Sequence, residues 1–151
     1  LDPETNQKYV PYCIEPSVGV ERMLLAFLVD AYDEEVLTDS KGKEDVRTVL
    51  RLHPALAPFK AAVLPLAKKL GSVAEPIYEE LCKHFAVDYD VTGSIGKRYR
   101  REDEIGTPFS ICVDFETEED GCVTIRDRDT MDQIRIPVSQ VREYIEQRLV
   151  F

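Results

Sequence analysis

Glu15, Ser17, Gly19 and Arg22 crowd one short stretch, Glu15-Pro16-Ser17-Val18-Gly19-Val20-Glu21-Arg22. Their types fit a ligand with both cationic and phosphorylated groups. Glu15 could receive an ammonium group. Ser17 could cap a following helix and touch the same ligand. Gly19 lets a ligand come close to the backbone. A helix N-terminus here favours anions, and Arg22, one turn in, could hold or stack on a phosphorylated base. The residues alone also admit a plainer reading. In it Glu15 is a helix-start charge and Arg22 a surface cation on a buried strand-turn-helix.

The elements that must hold this turn are an extended run, Tyr9 to Ile14, and a helix from Val20 to about Tyr32. Pro11 marks the strand as irregular or as an edge. The helix is apolar nearly all round, which predicts burial. Nothing before it supplies a second layer, so its partner is expected upstream. Asp33 to Lys43 is charged, contains Ser40 and Gly42, and reads as a loop or linker. Val46, Thr48, Leu50 and Leu52 alternate with charged residues as in a strand or extended link. His53 to Pro58 is a proline-punctuated boundary. Beyond it, Ala61 to Leu66 is a short buried strand. Ser72 with Glu75 is a possible capping box for a helix reaching about Phe85. Val87 to Val91 is a strand, and Ile95 to Ile105 a helix stopped by Gly106 and Pro108. Phe109, Ile111, Val113 and Phe115 line one face of the next strand. Gly121 turns the chain into a strand holding Val123 and Ile125, and Met131 to Ile136 is another. Val138, Val141, Ile145 and Leu149 share one side of a final helix. This order predicts an α/β fold: a mixed sheet covered by helices, its first strands parallel through crossovers and its hairpin antiparallel.

Bulk composition narrows the function. A hydrophobic share of 44% in 151 residues supports a real core. The longest uncharged apolar run, Met23 to Val29, is far below the ~20 residues of a membrane helix. No basic region precedes an apolar one at the start, so no secretory signal is read, and the scattered cysteines at apolar positions suit reduced core residues of a cytoplasmic protein. The chain opens at Leu1-Asp2-Pro3 without methionine, which suggests a segment of a longer protein. Cys13, Cys82, Cys112 and Cys122 form no Cys-x-x-Cys pair, and no metal site is expected. The net charge of −10 argues against a general nucleic-acid coat protein. Basic residues nevertheless cluster at Lys97-Arg98-Tyr99-Arg100-Arg101 and between Arg126 and Arg135, and a local basic face can still bind RNA.

The first cluster has the ingredients. Ser94 can cap a helix, Lys97 and Arg101 share a face by their spacing with Arg98 beside them, and Tyr99 could stack a base. Asp103 and Glu104 lie within reach of these cations. Arg126-Asp127-Arg128-Asp129 has the same mixture. On spacing alone a solvated ionic face is the favoured reading of both.

The opening stretch resembles motif 3 of the class II aminoacyl-tRNA synthetases, a glycine followed three residues later by an arginine. The preceding Glu-Pro-Ser resembles the glycyl-tRNA synthetase family in particular. The resemblance implies that Glu15, Ser17 and Gly19 face glycine, while Gly19, Val20, Glu21 and Arg22 face ATP. The later α/β order resembles the class IIa anticodon-binding domain through Ala57 to Lys60, Val63 to Leu66, Gly93 to Phe109, and Val123 to Met131. It implies that Ser94, Lys97, Arg98, Tyr99, Arg101, Arg126 and Arg128 lie near the tRNA anticodon. Residues 1–35 would be the C-terminal end of a catalytic domain, a strand plus the motif 3 helix ending its antiparallel sheet, 36–56 would be a linker, and 57–151 would be the anticodon-binding domain, a mixed sheet with helices packed on it.

The implied activity is glycine–tRNA ligation, with glycine, ATP and tRNA(Gly) as substrates. The whole protein would be a homodimer joined through its catalytic domain, with no membrane partner. Mg2+ is expected with ATP, its ligands outside this segment, and the fragment alone should not charge tRNA. Two other readings stand beside this one. One is a non-catalytic nucleic-acid-binding accessory protein with the same domains, like the accessory subunit of the mitochondrial DNA polymerase. The other is an acidic α/β interaction domain that binds no RNA.

Overall fold

The structure is a computed structural model that describes residues 1–38, 42 and 44–150. The first helix, α1 (Val20–Ala31), occupies the range its apolar run predicts, with Gly19 extended at its N-cap. Its surroundings differ from the expectation. Leu24, Leu25 and Val29 are well exposed rather than buried. Tyr9 to Ile14 forms no strand. A strand needs a neighbour to take its N–H and C=O groups, and none of the described residues pairs with this run.

The charged stretch after α1 folds as a hairpin rather than a linker. Strand β1 (Tyr32–Thr38) pairs antiparallel with β2 (Glu44–Leu50) in register from Tyr32 opposite Leu50 to Thr38 opposite Glu44. Asp39, Ser40, Lys41 and Lys43, part of the expected loop, lie outside the described residues. Charge had suggested loop; cross-strand pairing overrides it, because the register sets Glu35 opposite Arg47.

The remainder is one mixed sheet. Its strands are β3 (Ala61–Pro65), β4 (Val87–Tyr89), β5 (Phe109–Val113), β6 (Cys122–Asp127) and β7 (Gln133–Pro137), in the order β4-β3-β5-β6-β7. β3 runs parallel to β4 and β5, while β6 and β7 add antiparallel strands. The parallel strands are joined through α2 (Gly71–Cys82) and α3 (Ile95–Ile105), as a crossover requires. A short helical turn, α4 (Thr117–Asp120), lies between β5 and β6, and α5 (Val138–Glu146) closes the domain. Ser72 sits inside α2, and no side-chain hydrogen bond caps that helix, so the expected capping box does not form.

The sheet has two unlike faces, as strand alternation dictates. On one, Ala61, Val63, Phe109, Ile111, Val113, Val123 and Ile125 form an apolar core with Ala74, Ile77 and Leu81 of α2 and Val141 and Ile145 of α5. The other carries Ala62, Leu64, Ser110, Cys112 and Arg126, all buried. There α3 presents Arg98, Glu102 and Asp103, so its buried stripe is charged. α3 ends at Gly106, whose φ of 85° is left-handed; a Cβ there would lie 2.9 Å from the Leu50 carbonyl oxygen. Glycine is required for the turn and for the close passage of β2.

Candidate ligand turn and nucleic-acid interface

The Glu15–Arg22 turn is built as predicted only in part. Gly19 joins an extended segment to α1, and its carbonyl accepts from the Met23 N–H at 3.0 Å. The helix N-terminus therefore stands ready for an anion. Ser17 does not cap it, and no side chain hydrogen-bonds to its free N–H groups. Glu15, Ser17, Val20, Glu21 and Arg22 are all exposed. The turn offers an acid, a hydroxyl, helix N–H groups and a guanidinium.

The second cluster divides by exposure. Ser94 and Lys97 stand on the open side of α3, and Arg101 is partly exposed. Arg101 grips Asp90 through Nε at 2.9 Å and also donates to the Thr92 carbonyl at 2.6 Å. Burial of Asp90 is opposed by the Thr92 N–H and Arg101, which hold its carboxyl below the usual range. Lys97 is thus the unpaired cation of this face among the described residues.

Arg98, Arg126 and Arg128 are not surface cations. Arg98 is buried and donates to the carbonyls of Pro65 at 2.6 Å and Asp90 at 3.1 Å. Arg126 forms a two-pronged pair with Asp103 at 2.8 and 3.1 Å. Arg128 donates to the carbonyls of Gly106 at 2.7 Å and Leu52 at 2.8 Å and also grips Asp129. The solvated ionic face expected from spacing is, in these places, an internal network. Tyr99 lies half-buried with the Arg126 guanidinium 4.9 Å from its ring centre, so one aromatic face is already covered. Burial and the neighbouring Cys112 thiol raise its phenol pKa.

Residues that spacing did not single out gather between α5 and β7. Ile136, Gln140, Glu143, Tyr144 and Gln147 line an open polar concavity of about 330 Å³. The Arg148 guanidinium lies over the Tyr144 ring, 3.7 Å from its centre. Two amides and a cation-backed ring could hydrogen-bond and stack against a nucleobase. The signal was present as Gln140-x-x-x-Tyr144-x-x-Gln147, one polar stripe at helical spacing opposite the apolar one.

Among the described residues no group of three or more His, Cys, Asp or Glu side chains is placed to hold a metal ion. No described helix is long and apolar enough to cross a membrane.

The mixed five-stranded sheet, with its α2 and α3 crossovers and a terminal α5, is an α/β domain. Residues 60–148 match the family model described as "Anticodon binding domain". The chain belongs to that family. Over all its residues it is 68% identical to a protein of Clostridium perfringens named glycine–tRNA ligase, and 64% identical to one of that name from Geobacillus thermodenitrificans. In each case the match covers 32% of the relative, so the chain spans about a third of the length of these proteins. Among solved structures, the RNA-binding domain of threonyl-tRNA synthetase from Cryptosporidium parvum superposes with a TM-score of 0.60 at 26% identity. That likeness covers 65% of this chain and 25% of that one.

Proposed function

We propose that this chain is the C-terminal part of a glycine–tRNA ligase, in which residues 57–151 receive the anticodon end of tRNA(Gly) and residues 1–35 complete a catalytic site. The observation that carries the reading is identity to glycine–tRNA ligases that runs through both the Glu15–Arg22 turn and the anticodon-binding fold. Residues 36–56 then join the two, as a hairpin rather than a slack linker.

In the whole enzyme the carboxylate of glycine attacks the α-phosphorus of ATP, releasing pyrophosphate. The glycyl group then passes to a terminal ribose hydroxyl of tRNA, releasing AMP. Glu15 and Ser17 hold the glycine ammonium, with Gly19 leaving room beside them. The Val20 and Glu21 backbone at the helix start and the Arg22 guanidinium take the nucleotide. No proton-transfer catalyst is required of this segment, since adenylation proceeds by positioning and charge neutralisation. The exposed apolar side of α1 is covered by the part of the enzyme that the relatives' greater length provides. Mg2+ accompanies ATP on ligands outside this segment, the enzyme works in the cytoplasm, and it dimerises through its catalytic domain.

On the RNA side, Lys97, Ser94 and Arg101 on α3 and the Gln140–Tyr144–Gln147 concavity supply contacts. Arg98, Arg126 and Arg128 act by holding the fold, and Tyr99 by packing on Arg126. The test uses the whole enzyme. Arg22→Ala should abolish glycine-dependent exchange of pyrophosphate into ATP while tRNA binding persists. Lys97→Glu should weaken tRNA binding and flatten its salt dependence. Exchange unchanged by Arg22→Ala would remove the nucleotide role.

A further inference from the structure

The hairpin is held to the anticodon-binding domain by charge more than by apolar packing. Val36 and Val46 are more than half exposed, although Val49 is fully buried. Arg47 on β2 has no solvent exposure. It donates from Nε to Asp103 of α3 at 2.8 Å, from Nη1 to Glu35 of β1 at 2.7 Å, and from Nη2 to the Arg128 carbonyl. Asp103, also wholly buried, spends its two oxygens on Arg47 and on both prongs of Arg126 from β6. Arg51 adds an outer lacing to Asp33 at 3.0 Å, to Asp129 at 3.1 Å and to Glu35. Arg128 returns the tie through the Leu52 carbonyl. Burial works against the Arg47 charge, but its bonds to Asp103 and Glu35 prevail and raise its pKa.

Such networks contribute little net stability, because desolvation offsets attraction; they do narrow the allowed geometry. Arginine suits the task, since its planar fork fixes direction as well as distance. The hairpin in turn is locked to α1. The helix ends at Ala31 and β1 begins at Tyr32, while the Arg51 N–H donates to the Ala31 carbonyl at 2.6 Å. A continuous path of directed bonds therefore runs from β6 and α3 through Asp103 and Arg47 to the last turn of α1.

We infer that Asp103, through Arg47, is a positioning residue for the transfer of glycine to tRNA. Through this network it sets the angle between the helix that follows the Glu15–Arg22 turn and the domain that receives the anticodon. This inference rests on the proposed ligase reading. The two half-reactions demand different things of that angle. Adenylation needs only glycine and ATP at one end. Transfer needs a stiff tRNA to reach both ends at once. A misplacement of about 1 Å at a reacting centre can cost ~100-fold in rate.

The experiment compares the whole enzyme with Asp103→Asn and with Arg47→Lys. The lysine variant keeps a buried cation but cannot reach Glu35, Asp103 and the Arg128 carbonyl together, and it decides the matter if the asparagine variant does not fold. Three rates are read: glycine-dependent pyrophosphate exchange, charging of full-length tRNA, and charging of a short acceptor-stem RNA that lacks the anticodon. The expected result is exchange and short-RNA charging within about two-fold of the unaltered enzyme. Charging of full tRNA should fall ~10- to 100-fold in kcat/KM. Equal losses in all three rates would mean a merely structural role and overturn the inference, as would undiminished charging of full tRNA. Absence of glycine-dependent exchange and charging in the unaltered enzyme would instead overturn the ligase reading itself.

Discussion

Glu102 gives the sharpest stability prediction, because its environment sets both a sign and a size. The side chain is fully buried on the charged face of α3, and its Oε2 accepts from the Thr107 hydroxyl at 2.7 Å. Burial, opposed by that hydroxyl and reinforced by the nearby Asp88 and Asp90 carboxylates of the β4 segment, pushes its pKa from 4.5 to about 7. Unfolding releases it to the ordinary value. Below pH 4.5 the carboxyl is protonated in both states and titration contributes nothing. Between pH 4.5 and about 7 the folded state holds the proton that the unfolded state has lost, so stability falls as pH rises; above that the loss is complete. A gap from 4.5 to about 7 at ~1.36 kcal/mol per unit comes to roughly 3 kcal/mol. Glu102→Gln keeps the shape and an acceptor for Thr107 while removing the proton. Urea unfolding of the 151-residue chain should show the glutamine variant gaining on the unaltered chain between pH 4.5 and 8, by up to that amount. Subtracting the two curves cancels the other titrating groups to first order. A difference that is flat across this window would refute the assigned environment.

Two further perturbations separate the two sheet faces. Gly106→Ala forces an L side chain to a φ of 85° and sets its Cβ 2.9 Å from the Leu50 carbonyl. The left-handed penalty of about 1–2 kcal/mol plus that contact should cost ~2–4 kcal/mol in denaturant unfolding, with loosening of β2 seen as faster amide exchange at Leu50 and Arg51. Ile111→Ala empties the centre of the apolar face, where Ile111 has no exposure, and should cost ~2–5 kcal/mol. In the whole enzyme, short of unfolding, that variant should leave the ratio of charging to exchange unchanged.

Much of the fold was legible because local signals agreed. The α3 limits follow from Ser94 before it and Gly106-x-Pro108 after it. The alternation of Phe109, Ile111 and Val113 gives β5, and a β3 run apolar at every position announces a central strand covered on both faces. What was not legible depends on partners remote in sequence. Asp33 and Glu35 read as a solvated loop until Arg47 of the second strand and Arg51 at its end reach them. Arg98 and Arg128 read as surface cations because the groups that satisfy them are main-chain carbonyls of Pro65, Leu52 and Gly106, which no side-chain pattern advertises. The apolar α1 was read as buried from its composition, yet Leu24, Leu25 and Val29 stand exposed. The Glu15–Arg22 turn was legible as chemistry, and its side chains are exposed as well.

The unequal faces of the sheet follow from unequal demands. An apolar face stabilises in proportion to the area it removes from water and tolerates small slides, because dispersion and hydration have little direction. The apolar sides of α2 and α5 need no more than that, since they only close the domain against the sheet. The hairpin must leave the domain at a defined angle and hand that angle to α1. Buried charges suit this, because each carboxylate–guanidinium pair loses steeply when its partner tilts and an unpaired buried charge is strongly destabilising. Placing Asp103, Arg47 and Arg126 where another fold would put leucines gives up some stability for direction. The same choice leaves Glu102 as a buried acid beside Asp88 and Asp90, so a pH-dependent weakness at α3 is the expected physical companion of a charged, direction-setting joint.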